Sequence, residues 1–89
     1  MSVFQTKVKK EYQKKGYTVV KVVKFVDSGY PDLLAMKDGK CIWIECKEKN
    51  DTLKPLQKFV IDSLIKNGFD AFCLQDTKGK IYPNETTKT

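Results

Sequence analysis

Histidine and arginine are both absent from this 89-residue sequence. Without histidine, zinc fingers, His-metal centres and Ser-His or Cys-His catalysis each lose a required part, as do nucleases built around a catalytic histidine. Without arginine, bidentate reading of guanine edges loses its main side chain, whereas lysine still serves phosphate as a point charge. Cysteine is scarce. Cys41, Cys46 and Cys73 are odd in number, lie in apolar runs and show no C-x-x-C spacing, so they read as reduced, buried thiols. Long apolar runs are missing too, which excludes a bilayer-spanning helix, and no signal-peptide core follows MSVFQTKVKK. The expected compartment is the cytoplasm, that of the host cell if the gene belongs to a phage. There is no internal repeat.

What the chain does have is lysine. Seventeen basic residues, all lysine, face 11 acidic ones, for a formal charge of +6. An acidic partner follows, and nucleic acid is the commonest for a small basic domain; the alternative is a lysine surface that only keeps the protein in solution. If the partner is DNA, it should be read through backbone and shape more than sequence. At 40% apolar residues the composition suits one small globular domain.

Residues 2–15 read as a helix with Ser2 as N-cap and Gly16 as its stop. Val3, Phe4, Val8 and Tyr12 give it a narrow apolar stripe, surrounded by lysines. The β-branched run 18–26 reads as a strand, followed by loop chemistry at Asp27-Ser28-Gly29. Asp32–Lys37 and Lys40–Lys47 flank Asp38-Gly39, the strongest hairpin signal in the chain. Both strands are apolar on both faces, which places them in the middle of a covered sheet. Thr52 or Asp51 can cap a helix opening near Pro55, with Leu56, Phe59, Val60, Ser63 and Leu64 as its apolar face and Gly68 as terminator. Asp70–Leu74 supplies a fourth strand, and a short fifth fits at Lys80–Tyr82. The expected fold is α/β: an α-β-β-β-α-β sandwich around a central mixed sheet, with residues 1–75 as the domain and 76–89 as a polar tail that can add the short extra strand.

The two-residue turn fixes the hairpin register. Lys37 should face Lys40, Leu34 face Trp43, Leu33 face Ile44 and Asp32 face Glu45, with Tyr30 and Lys47 further along the same face. Two carboxylates then oppose each other at about 5 Å between Cβ atoms. Like charges so placed between buried strands need compensation, and a hard divalent cation holding water and substrate phosphate supplies it best. The backbone carbonyl of Cys46 can add a ligand. Such a cation activates water and neutralises charge on a phosphate, and Lys47 is placed to stabilise the transition state or handle the attacking water. Asp32 and Glu45 could instead be ordinary strand-end charges paired with lysines. Against that, Glu45 and Lys47 terminate an apolar strand, at the kind of scaffold edge on which sites are built.

G-Y-P-D (29–32), twelve intervening residues and E-C-K (45–47) resemble the PD-(D/E)xK nuclease signature. L-K-P-L-Q-K (53–58) with N-G-F-D-A (67–71) is similar to stand-alone viral and bacterial VRR-NUC domains. S-G-Y-P-D-L-L-A (28–35) resembles a motif of archaeal-type Holliday junction resolvases. The likeness spans roughly residues 4 to 74. It implies a restriction-endonuclease-like fold, Asp32 and Glu45 as metal ligands for Mg²⁺ (or Mn²⁺ in its place), Lys47 as the catalytic lysine and Gln57 facing the same site. Relatives often carry a further glutamate on the first helix, where this chain has Gln5; either Glu11 substitutes, or the site has one carboxylate fewer.

The functional expectation is a metal-dependent endonuclease that hydrolyses phosphodiester bonds in DNA, with branched or structured duplex such as four-way junctions preferred, leaving a 5′-phosphate as the resemblance implies. Lys7, Lys10, Lys14, Lys49, Lys54 and Lys58 are the candidate DNA contacts. Paired cutting needs two sites, so a homodimer is expected. The short chain fits a phage or mobile element. The rivals are a catalytically inactive DNA-binding module of the same fold, a site-specific homing or restriction-type nuclease, and an α/β interaction domain that binds no nucleic acid.

Overall fold

The computed structural model describes residues 2–23 and 29–84. Its elements, in order, are α1 (Val3–Lys14), β1 (Thr18–Lys21), β2 (Leu33–Lys37), β3 (Lys40–Lys47), α2 (Pro55–Lys66), β4 (Asp70–Gln75) and β5 (Gly79–Tyr82). The sheet is built outward from the Asp38-Gly39 turn. Both residues have positive φ, 52° and 78°, the left-handed pair of a two-residue type I′ hairpin. The resulting β2–β3 register is the expected one, from Lys37 opposite Lys40 to Leu33 opposite Ile44.

Five strands lie in the order β1-β2-β3-β4-β5, which leaves β3 in the centre. All neighbouring pairs are antiparallel except β3 and β4, which run parallel because α2 carries the chain back between them. The fold is thus the α/β sandwich with a mixed sheet that the sequence pattern implies, and β5 joins it as the fifth strand. β1 is shorter than the 18–26 run. Its last pair is Lys21 with Leu33, after which the Val22 amide donates to the Asp32 carbonyl at 2.8 Å. Pro31, which has no amide proton, follows next on the partner side and cannot extend the ladder. Residues 24–26 of the expected strand, and Asp27 and Ser28 of the expected loop, lie outside the described residues.

Alternate residues of β3 face opposite layers. Ile44 and Cys46 join Val8, Val19, Leu33 and Ala35 under α1, with Phe4, Tyr12 and Ile42 packed against them. Trp43 joins Ile61, Ala71 and Cys73 under α2. Ser2 caps α1 as expected, its Oγ accepting the Gln5 amide at 3.0 Å. The inner stripe of α1 is Phe4-Val8-Tyr12 alone. Val3, included in it from the sequence, is 89% exposed because it sits one residue, about 100° of helix, off that line. The face of α2 is also rotated from expectation. Val60, Ile61 and Leu64 point inward while Phe59 is 69% exposed, since the i, i+3, i+4, i+7 row that meets the sheet starts at Gln57.

The three cysteines are free thiols; Cys46 and Cys73 are buried and Cys41 is half-buried. Burial first, then the Asp32 and Glu45 carboxylates, pushes the Cys46 thiol up to about 12. Burial does the same for Cys73, also to about 12. Both stay protonated and act as small core side chains.

Candidate active site

Strand alternation sets the site. Cys46 points into the α1 layer, so Glu45 and Lys47 both point to the α2 side, at the end of β3 where the apolar run stops. Both are buried, at 3% and 5% exposure. Asp32 lies one residue before β2, in a bend, and its Oδ2 accepts the Cys46 amide at 2.9 Å. The hairpin register brings Asp32 alongside Glu45, and this bond ties its carboxylate to the main chain of the strand that carries Glu45 and Lys47. Lys47 Nζ stands 3.7 Å from Glu45 Oε2.

Gln57 closes the group from the first turn of α2. Its Oε1 accepts the Lys54 amide at 2.9 Å, half of a capping box, and its Nε2 donates to Glu45 Oε2 at 3.1 Å. The Lys54 amide can only donate, so it fixes which end of the Gln57 amide faces the carboxylate. This corrects the expected cap. The N-cap is Lys54, whose side chain has no acceptor, and neither Thr52 nor Asp51 caps the helix, because Gln57 reaches back instead. Asp51 is engaged elsewhere: its Oδ1 accepts the Thr52 amide at 2.8 Å and its Oδ2 is 3.7 Å from Lys47 Nζ. The Thr52 amide, then the Lys47 ammonium, hold the Asp51 carboxyl below its ordinary value.

Asp32, Glu45, Lys47 and Gln57 therefore come together. Glu11 does not join them; it is exposed and lines an outward groove of α1 with Val3, Lys7, Lys10 and Lys14. Gln5 is different, because its Oε1 is buried with no hydrogen-bond partner among the described residues. The six lysines fall into two groups. Lys7, Lys10 and Lys14 ride on α1, whereas Lys49, Lys54 and Lys58 flank the loop and first turns of α2, across the sheet. Two residues escaped sequence reasoning. Asp51 looked like a cap, and Gln75, 5% exposed at the end of β4, carried no signal beyond its place after an apolar strand.

Gly29 opens the P-D segment with φ +88°, and a Cβ there would sit 2.7 Å from Leu56 Cγ and 3.2 Å from Val60 Cγ2. The chain leading to Asp32 thus rests directly on the helix that presents Gln57. Gly29→Ala is expected to destabilise by about 1–3 kcal/mol, through overpacking and the left-handed backbone. Urea unfolding measures it, and an unchanged midpoint would contradict the contact.

One buried carboxylate at the end of the central strand, Glu45, thus stands with Lys47 and Gln57, and the half-buried Asp32 reaches the same strand end from the residue before β2. A family model of the VRR-NUC domain matches residues 3–76, and the chain belongs to the VRR-NUC family, within the PD-(D/E)xK nuclease superfamily. A solved VRR-NUC domain is 28% identical over 79% of this chain and 77% of that one, with a TM-score of 0.70. The Holliday junction resolvase Hjc of Archaeoglobus fulgidus superposes with a TM-score of 0.64 at 19% identity, over 81% of this chain and 64% of that chain, a likeness of fold. No curated protein matches significantly. The domain is a nuclease by family, and no helix among the described residues is long and apolar enough to cross a membrane.

Proposed function

We propose that this chain is a Mg²⁺-dependent endonuclease, able to use Mn²⁺, that hydrolyses phosphodiester bonds in DNA and prefers branched or structured duplex such as four-way junctions. The observation that carries the reading is the grouping of Glu45, Lys47 and Gln57 at the end of one central strand, at contacts of 3.1 and 3.7 Å, with Asp32 bonded at 2.9 Å to the Cys46 amide between Glu45 and Lys47. That the archaeal protein of similar fold is a Holliday junction resolvase supports the choice of junctions.

The donor chemistry fits a hard cation. Among the described residues no three His, Cys, Asp or Glu side chains gather into a ready-made metal site. Two carboxylates suit magnesium, which keeps several waters and takes substrate phosphate as a further ligand. Asp32 and Glu45 would hold it, with the Cys46 carbonyl; of the two α1 candidates, Gln5 has a buried Oε1 with no hydrogen-bond partner among the described residues, whereas Glu11 is turned outward. When bound, the ion lowers the pKa of a water and neutralises charge on the phosphate. Gln57 fixes the rotamer of Glu45 by its 3.1 Å bond. Lys47, a buried ammonium, stabilises charge that develops on the phosphoryl oxygens or orients the attacking water. Lys49, Lys54 and Lys58 share the α2 side with this group and would contact the DNA backbone; Lys7, Lys10 and Lys14 form a second basic surface on α1. One chain offers one such centre, so paired cutting calls for a two-fold homodimer.

The test is cleavage of labelled linear duplex, single strand and four-way junction with Mg²⁺, Mn²⁺ or EDTA. Cutting that needs metal and favours the junction is the expected result. Salt-sensitive binding without cutting would replace the enzyme by an inactive DNA-binding module. Efficient paired cutting by a species of monomer mass would remove the dimer.

A further inference from the structure

The Lys47 ammonium sits between two carboxylates at equal distances, 3.7 Å from Glu45 Oε2 and 3.7 Å from Asp51 Oδ2. Both separations are well outside the roughly 2.8 Å of a charge-assisted hydrogen bond. A buried lysine beside a buried glutamate on the same strand face would be expected to close on it, and so compete with a cation for a carboxylate whose Oε2 already accepts from Gln57 Nε2. Asp51 pulls the other way. Its Oδ1 is fixed on the Thr52 amide at 2.8 Å, so Oδ2 is held facing Lys47 although the side chain is half exposed.

The turn that carries Asp51 is fixed in its place by Gln75. In the parallel ladder Gln75 is the partner of Lys47 itself. Its buried Nε2 lies within reach of three main-chain carbonyls of that turn, Glu48 at 2.9 Å, Lys49 at 3.3 Å and Asp51 at 2.6 Å. One NH₂ group has two hydrogens, so the three acceptors share them. The Asp51 amide closes the turn on the Glu48 carbonyl at 3.1 Å, and the Asp76 amide closes the end of β3 on the Lys47 carbonyl at 2.9 Å.

We propose that Asp51 and Gln75 are positioning residues for Lys47: Gln75 holds the 48–51 turn, and Asp51, carried on it, draws the Lys47 ammonium away from Glu45. This rests on the reading that Glu45 and Lys47 work in the reaction, but it makes a structural claim that stands apart from activity. Removing the Asp51 charge lets the ammonium move onto Glu45, where it competes with a cation for the carboxylate and leaves its station by about an ångström. A displacement of that size can cost on the order of 100-fold in rate.

The experiment compares wild type with Asp51→Asn, Asp51→Glu, Gln75→Ala and the Asp51→Asn/Gln75→Ala double variant. In crystals of Asp51→Asn, the Lys47 Nζ to Glu45 Oε2 distance is expected to shorten to about 2.8 Å. In junction cleavage, kcat is expected to fall roughly tenfold to 100-fold with KM for DNA unchanged, and Asp51→Glu to recover part of it. Gln75→Ala should speed hydrogen exchange at the Asp51 amide, and the double variant should be no slower than the worse single one, because both act through one path. Lys47 staying in place in Asp51→Asn overturns the proposal, as does an unchanged kcat or an additive double variant. If wild type cuts nothing and Lys47 nevertheless closes on Glu45 in the variant, the positioning claim holds and the nuclease reading fails. If Gln75→Ala does not fold, the two Asp51 variants decide.

Discussion

Glu45→Gln is expected to lower DNA cleavage by about 1,000-fold or more, and the rise in stability with Mg²⁺ that the proposed function predicts for the wild type is expected to be lost. Glutamine keeps the shape, and its carbonyl oxygen still accepts from Gln57 Nε2, which reaches Glu45 at 3.1 Å. Only the charge goes. The charge compensation a bound divalent ion gives a phosphoryl transition state is worth several kcal/mol, and each ~1.4 kcal/mol is tenfold in rate. Without metal the variant should unfold within about 1 kcal/mol of wild type, because two effects oppose each other. Neutralising a carboxylate that is 3% exposed relieves desolvation, while Lys47 loses the Glu45 charge and keeps that of Asp51. With metal they separate: a ligand at 100 times its Kd adds about 2.7 kcal/mol to a protein that binds it only when folded. Single-turnover cleavage and melting with and without Mg²⁺ read both quantities. A variant that keeps its activity and its metal-induced rise in Tm removes Glu45 from the site.

Ile44→Ala is expected to cost about 2–5 kcal/mol, a large part of the roughly 5–15 kcal/mol that holds a domain together. At about 4–8 °C per kcal/mol for a domain of this size, Tm should fall on the order of 10–30 °C. The reason is position. Ile44 is fully buried at the middle of the central strand, with Leu33 opposite it on β2 and Phe72 opposite it on β4. All three belong to the layer under α1, so the cavity would be walled by a sheet and a helix that cannot easily collapse into it. Phe59→Ala provides the contrast. It removes a larger side chain, yet one 69% exposed on α2, and should stay within about 0.5 kcal/mol of wild type. Equal losses in the two variants, measured by urea unfolding, would mean the core lies elsewhere.

The readable features were those governed by local chemistry. Asp38-Gly39 admits few turn geometries, and from it follow the register, the facing of Leu33 with Ile44 and the approach of Asp32 to Glu45. The helix boundaries were readable for the same reason, through Ser2, Gly16, Pro55 and Gly68. Features decided by packing between distant segments were not. Whether Phe59 or Ile61 faces the sheet depends on where α2 lands, and an apolar count cannot distinguish them. Asp51 has the local chemistry of a cap, but a lysine four residues earlier and a glutamine 24 residues later determine what it does. The lysines were legible as charge, and their division between two sides of the sheet was not, because it follows from the layer each helix occupies.

The bond from the Cys46 amide to Asp32 has a consequence for how this protein can change. The donor is main chain, so any residue but proline at position 46 can supply it. The side chain there points into the α1 layer, while Glu45 and Lys47 on either side point to the other. One strand thus serves two masters on opposite faces. The α1 layer can be repacked through position 46 with the acid and the lysine left where they are, and the chemistry on the far face can be altered without opening the layer beneath α1. Mutational drift, or a designer, can vary the two independently over three consecutive residues.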